Sequence, residues 1–207
     1  MATFGEAVDL ILTEIARTDS SITVVTEREY RKAVEHYAQK RFWFNEGRIS
    51  FTASNTIYYP MSAFSATMLE IDQVSTTIGG TVVMLQPKTH QELNEIDASG
   101  QTGNPVFWAL FAEQIRIYPK LASGSTKQIN IDGHRKLATL SASTDSNVWT
   151  TEAIDLISAR VEKHLMAKKF NNPERAAVYA EVEREELQKL EQRTERLLSM
   201  GRIRAGY

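Results

Sequence analysis

The 207-residue chain contains no cysteine and no long apolar run. Without cysteine there can be no disulfide, thiolate metal ligand or cysteine nucleophile, as is usual for proteins made in a reducing cytosol. No stretch approaches the roughly 20 apolar residues that a membrane helix needs, so we expect no membrane association. The net charge of −2 differs from the basic charge typical of proteins that bind DNA tightly through its phosphates. Extensive DNA contact is therefore not expected.

Sequence motifs for catalysis are absent as well. There is no glycine-rich phosphate loop and no Gly-x-Ser-x-Gly elbow. Each histidine stands alone, without a second histidine at metal-ligand spacing: His36, His90, His134 and His164. Met1–Ser21 carries acidic residues and no basic segment, so it is not expected to be a signal peptide. We expect no catalytic residue, no metal and no cofactor, because the chain offers no constellation that would hold or use one.

Two helices are predicted before residue 48. Thr3-x-x-Glu6 has the pattern of a capping box, and an apolar stripe at helical spacing follows it. A second capping box is predicted at Thr26-x-x-Glu29, with Gly47 ending that helix. Between them, the polar residues at 17–21 should interrupt the helix.

The middle of the chain has the alternation and turn residues of β-structure. Ile49 and Phe51 alternate with polar residues, and strands are predicted at 57–60, 68–74 and 81–85 around a Gly-Gly turn. Thr89 begins a third capping box and a short helix. A hairpin is predicted over residues 106–118, followed by a loop and a last strand at 128–131.

Helical periodicity returns at Thr150 and continues to about residue 165. Asn172-Pro173 combines a preferred N-cap with a preferred first helical residue, so a new helix should begin there and end at Gly201. Its many glutamates predict a solvated, ion-paired face: Glu181, Glu183, Glu185, Glu186 and Glu191. Lys168-Lys169 complements the negative end of the preceding helix, an interpretation we prefer to a DNA contact.

This layout predicts an α+β fold, in which N- and C-terminal helices form a small bundle with an inserted antiparallel β-rich domain. The expected divisions are 1–47 and 146–200 for the bundle, 48–145 for the inserted domain and 201–207 for a C-terminal docking tail. No internal repeat or low-complexity segment is present.

One series of motifs resembles a known family. Gly103-x-Pro105 precedes a hairpin that ends in Ile-x-Ile-Tyr-Pro119, and Gly133-x-Arg135 and Thr144-Asp145 follow before a helix. The chain resembles the head-to-tail adaptor proteins, or connectors, of tailed bacteriophages over most of its length. It departs from many relatives at the hairpin tip, where Ala112-Glu113 stands in place of a glycine.

The resemblance implies a structural protein and not an enzyme. Similar proteins form rings, commonly of twelve subunits, in the virion neck between capsid and tail, after assembly in the host cytoplasm. The expected partners are the portal protein and tail or nozzle proteins. DNA would pass through the ring lumen without sequence-specific binding.

Two groups of residues are expected to serve assembly. Cations and apolar anchors after a glycine suggest a portal-binding tail, as in relatives: Arg202, Ile203, Arg204 and Tyr207. Aromatic residues and arginine are enriched at interfaces, which suggests a subunit interface at Phe42, Trp43, Phe44 and Trp108. Two alternatives are another neck or tail-tube component without portal contact, and a small cytosolic enzyme or regulator.

Overall fold

The computed structural model describes residues 2–17, 19–64, 68–97 and 100–203, the last four of these by their backbone only. Within them the chain forms five helices and a seven-stranded sheet, so the predicted α+β class is confirmed. Contacts divide the chain into two compact units. Unit 1 comprises Met1–Phe44 with Leu137–Tyr207, and unit 2 comprises Asn45–Lys136. The predicted bundle with an inserted domain at 48–145 stays a prediction.

In unit 1, α1 (Phe4–Glu14) begins as predicted. The Thr3 side chain accepts a hydrogen bond from the Glu6 amide, and the Glu6 carboxylate accepts one from the Thr3 amide. These reciprocal bonds satisfy two backbone donors that a helix start leaves without a partner.

The start predicted for the second helix is wrong. α2 (Ser20–Ala38) begins six residues before Thr26, because Asp19 is its N-cap and accepts a hydrogen bond from the Ile22 amide. Thr26 lies inside the helix, where its hydroxyl donates to the Ile22 carbonyl oxygen. The predicted end is also wrong. The helix ends at Ala38, and Gly47 belongs to a strand.

Two further helices complete unit 1: α4 (Ile154–Lys168) and α5 (Pro173–Ile203). The region from Val148 to Thr150 is a short 3-10 turn, so α4 starts four residues later than predicted. Asn172 caps α5 as expected, since its side-chain oxygen accepts from the Arg175 amide. The predicted stop at Gly201 is wrong, because the helical backbone continues through Ile203.

The helices α1, α2, α4 and α5 share one hydrophobic core. Its largest fully buried side chains are Trp149, Tyr30, Phe4, Phe42, Ile11, Leu156 and Ile157. Tyr30 is fully buried, including its hydroxyl group, which donates a hydrogen bond to the Trp149 carbonyl oxygen at 3.1 Å. Among the described residues, no helix is both long and apolar enough to cross a membrane.

Unit 2 contains the sheet. Its strands are β1 (Glu46–Ala53), β2 (Tyr58–Pro60), β3 (Met68–Ile78), β4 (Thr81–Pro87), β5 (Phe107–Phe111), β6 (Gln114–Tyr118) and β7 (Lys127–Arg135). Their order is β1-β7-β3-β4-β5-β6-β2. Alternate residues of these strands line one core: Ile49, Val74, Leu85, Trp108, Ile115, Ile117, Ile129 and Ile131.

The sheet is mixed, so the prediction of an antiparallel β-domain is wrong at one pair of strands. β4 pairs with β5 in parallel, with Gln86 opposite Phe107. Between these strands lies α3 (His90–Ile96), which begins at the predicted Thr89 capping box. A crossover of this kind returns the chain to the same end of the sheet, which makes parallel pairing possible.

Candidate assembly surfaces

The hairpin of β5 and β6 carries the first motif of the sequence. The Gly103 amide donates to the Lys120 carbonyl oxygen at 2.9 Å, and the Val106 amide donates to the Tyr118 carbonyl oxygen at 2.9 Å. The peptide bond from Tyr118 to Pro119 is cis. The motif therefore joins the start of β5 to the end of β6, a structural task without reactive groups.

A buried arginine ties α3 to this hairpin. Arg116 on β6 is 3% exposed, and its guanidinium lies 3.0 Å from the Asp97 carboxylate. It also donates to the Asn94 side chain and to the Leu93 carbonyl oxygen. These bonds hold α3 against β6, because separating the two elements would leave the buried charge of Arg116 without a partner.

Gly133 of the second motif is required by close packing. A Cβ atom at this position would lie 2.1 Å from the Glu70 carbonyl oxygen on the neighbouring strand β3. Two residues on, Arg135 packs over Gly47 of β1, where a Cβ would lie 2.7 Å from the arginine Nε. The Gly-x-Arg motif thus fixes the spacing of β7 from both of its neighbours.

The third motif forms a loop in unit 1 that holds the start of α1. Asp145 accepts hydrogen bonds from the Ser141 and Ala142 amides, which lowers the pKa of its carboxyl group. The loop then offers its carbonyl oxygens to the first turn of the helix. The Phe4 amide donates to Asp145 at 2.7 Å, and the Gly5 amide donates to Ser143 at 2.8 Å.

The predicted interface residues fall into two places. Phe42, Trp43 and Phe44 come together in unit 1, where Phe42 is fully buried and stacks on Phe44 with ring centroids 5.2 Å apart. Trp43 is half-buried, and the Arg193 guanidinium lies 4.2 Å from its ring centroid. Trp108 lies in the core of unit 2. The interface prediction stays a prediction, and Trp43 and Phe44 are the members that retain surface for it.

Of the predicted tail, Arg202 and Ile203 belong to α5 by their backbone, and Arg204 and Tyr207 lie outside the described residues. The described side chains just before them project into solvent. Glu195, Arg196, Leu197 and Ser199 are exposed. The described side chains nearest the end of α5 are thus mostly accessible.

One glutamate of α5 departs from the predicted solvated face. Glu183 is only 7% exposed and accepts hydrogen bonds from Tyr37, Arg160 and Lys163. Burial raises the pKa of its carboxyl group, but the bonds from Lys163, Tyr37 and Arg160 outweigh this and hold the pKa below its ordinary value. The residue joins α2, α4 and α5. It could have been found from its position in the apolar stripe of α5.

Glu162 of α4 is the opposite case. It is 3% exposed, and its Oε1 atom has no hydrogen-bond partner among the described residues. Burial and the neighbouring Glu14 carboxyl group together raise the pKa of its carboxyl group to about 9, while Arg175 opposes this rise. Glu162 is therefore protonated at neutral pH, and no sequence signal marked it.

The histidines show no metal site. In the described part of the chain, no group of three or more His, Cys, Asp or Glu side chains is placed to hold a metal ion. His164 lies 3.5 Å from the Glu29 carboxylate, and burial lowers its pKa despite that partner. His90 stacks on the exposed Phe111 ring at 4.0 Å between centroids. These are packing roles.

Sequence analysis missed one surface, which lies on β4. Val82 is 58% exposed and Met84 is 54% exposed, side by side on the same face of the strand. A signal was available, because residues 73–87 contain no charged residue at all. Neutral, apolar β-strands at a surface are unusual in proteins that stay alone.

These features describe a structural scaffold, in which each motif joins one element to another. The profile of the SU10 adaptor protein family matches residues 2–205 of the chain. The chain therefore belongs to this family of phage head-to-tail adaptor proteins, as its sequence motifs predicted. Membership gives it a structural role in the neck or tail of the virion. Comparison with curated proteins finds no match.

Proposed function

We propose that this protein is the subunit of a ring, of about twelve copies as in similar proteins, that connects the portal to the tail around the DNA channel. The observation that carries the proposal is the family match over nearly the whole chain. Its motifs fix strands and helices to one another, so what the protein offers a partner is shape and surface. In this role the protein performs no catalysis.

The portal would be bound through the end of α5. This helix extends for 31 residues and is the longest of the helices in the described part of the chain. The side chains of Glu195, Arg196 and Leu197 are exposed, which is compatible with this end of the helix entering a groove on a partner. Arg202 and Arg204 would pair with acidic residues, while Ile203 and Tyr207 would supply most of the affinity. A buried apolar side chain contributes roughly 1.5–3 kcal/mol, more than an exposed ion pair.

Tail or nozzle proteins would meet the sheet of unit 2. Exposed apolar residues are frequent there, including Leu110 and Phe111 at the end of β5. DNA would pass the lumen without sequence-specific contact, in keeping with the net charge of −2. The site of action is thus the virion neck, after assembly in the host cytoplasm.

Deletion of Arg202–Tyr207 tests the portal contact. We expect circular dichroism to show a folded chain and a pull-down with portal rings to show no attachment. A charge-matched control carries Arg184→Ala with Lys189→Ala, which removes two exposed cations from the same helix. Retained portal binding by the truncated chain would refute the contact, and would favour a neck or tail-tube component that does not touch the portal.

A further inference from the structure

The hairpin of β3 and β4 has one edge that is only half covered. A two-residue turn at Gly79-Gly80 joins the strands, and both glycines have positive φ. In such a hairpin the residues that flank the turn, Ile78 and Thr81, form a hydrogen-bonded pair. The backbone groups of Val83 and Leu85 therefore point toward β3, and those of Val82, Met84 and Gln86 point away from it.

Strand β5 uses only the far end of this outer edge. The Gln86 amide donates to the Val106 carbonyl oxygen at 2.8 Å, and the Lys88 amide donates to the Trp108 carbonyl oxygen at 2.9 Å. Before β5 begins, the Gly103 amide donates a hydrogen bond to the Lys120 carbonyl oxygen, so this part of the chain lies beside Lys120 and not beside β4. Among the described residues no strand therefore continues the ladder opposite Val82 and Met84.

Nothing in the sequence of this edge protects it. Natural edge strands are blunted by charges, prolines or bulges, which prevent pairing with other chains. From residue 73 to residue 86 the hairpin has no charge and no proline. Val82 and Met84 add exposed apolar surface beside the open backbone groups. A strand of this kind is a site for adding another strand.

A second open edge on the same chain matches it. Among the described residues, β1 is the terminal strand of the sheet and pairs with β7 alone. The Gln128 carbonyl oxygen accepts a hydrogen bond from the Thr76 hydroxyl on β3. The backbone groups of Gln128 and Asn130 therefore point toward β3. Those of Ile129 and Ile131 point toward β1. The outward backbone groups of β1 are then those of Arg48, Ser50 and Thr52.

The faces of the two edges also match. On β4 the residues with outward backbone groups have exposed side chains, and the same holds for Arg48, Ser50 and Thr52 on β1. Opposed residues of an antiparallel pair share a face, so joining β4 to β1 would place exposed side chains beside exposed ones. The exposed side chains of β1 leave its edge clear, because Arg48 pairs with Asp132 and Ser50 donates to Asn130, both on β7.

We propose that β4 of one copy pairs with β1 of the next copy, so that the sheets of neighbouring subunits join edge to edge. This inference rests on the ring of the proposed function and names its subunit contact. Two different surfaces of the same chain are used, which is the head-to-tail arrangement that a cyclic ring requires. The uncharged β4 edge suits a lasting interface between copies, because the cores of such interfaces are apolar and poor in charge.

The absence of cysteine from the chain makes a direct test possible. The variant Ser50→Cys with Val82→Cys is assembled into rings on portal or into phage particles and treated with a short bis-maleimide, which tolerates a shift in register. We expect a ladder of cross-linked multimers on a denaturing gel, and no ladder from either single variant. Overturning results are an absence of multimers, a product that contains another protein, or dimers from Val82→Cys alone, which would mean a β4 to β4 contact.

A charge placed on the edge gives a second test. Met84→Lys should leave the thermal transition of the chain unchanged and remove most of the assembled ring, measured by light scattering of the portal complex. The matched control is Val178→Lys, since Val178 is a 63% exposed apolar residue on α5. Rings of Met84→Lys that form as in the wild type would overturn the edge contact and leave the adaptor role intact. A wild-type chain that never attaches to portal would instead refute the proposed function.

Discussion

The buried Glu162 should make unit 1 less stable as the pH rises. Its carboxyl group is held neutral in the folded protein, with a pKa of about 9 against an ordinary value of 4.5. The unfolded chain releases this proton at much lower pH than the folded chain does. The contribution of Glu162 to stability is therefore complete below about pH 4.5 and is lost as the pH rises toward 9.

The expected size follows from the linkage between proton binding and stability. Each unit of pKa difference corresponds to roughly 1.4 kcal/mol, so the loss is about 3 kcal/mol by pH 7 and about 5 kcal/mol by pH 8. Glu162→Gln removes the titration but keeps an amide that can donate to the Glu14 carboxylate. We expect this variant to lie within about 1 kcal/mol of the wild type at pH 5 and to exceed its free energy of unfolding by about 5 kcal/mol at pH 8.

Urea denaturation of both proteins at pH 5 and pH 8 measures the effect. Glu185→Gln is the control, because Glu185 is an exposed carboxylate on α5 and should leave the pH dependence unchanged. If the difference between wild type and Glu162→Gln is the same at both pH values, Glu162 is not the buried, protonated group that its burial implies.

Three other substitutions test the packing and surfaces described above. Gly133→Ala should destabilise the protein by about 3 kcal/mol or more in urea denaturation, because the new Cβ would overlap the Glu70 carbonyl oxygen. Gly103→Ala is the control and should change the urea midpoint little, because the nearest atom to its Cβ, in Pro119, would be 3.9 Å away. Trp43→Ala should reduce ring assembly in light scattering more than it reduces stability, and an unfolded variant would show that the residue serves the core. Glu113→Gly should stabilise the hairpin by about 1 kcal/mol in urea denaturation, because Glu113 has a φ of 57°, and a loss of stability would contradict that strain.

Local signals in the sequence predicted helix starts well where the deciding contacts are local. Thr3, Thr89 and Asn172 cap helices through residues three positions away, so the pattern and the structure agree. Thr26 has the same pattern but lies within a helix that Asp19 had already started. A cap motif therefore predicts a start only where no stronger cap precedes it.

Contacts between distant residues were beyond the reach of these patterns. The parallel pairing of β4 with β5 depends on how α3 returns the chain, which no strand pattern contains. The spacing of α5 places Glu183 in its apolar stripe, but the partners that stabilise its buried charge, Tyr37, Arg160 and Lys163, come from two other helices. The neutral surface of β4 could have been noticed from its composition, but its open edge follows only from the strand order.

The loop that holds α1 has a consequence for the order in which the newly made chain can fold. The Phe4 and Gly5 amides bond to Asp145 and Ser143, and Thr150 donates to the Ala2 carbonyl oxygen. A ribosome adds roughly 5–20 residues per second, so α1 waits on the order of 10 seconds for these partners. The sheet from Asn45 to Lys136 is continuous in sequence and can fold during that delay. During this delay the apolar stripe of α1 stays available to chaperones. A released chain that ends between Lys136 and Ser141 should have a folded sheet joined to unfolded helices.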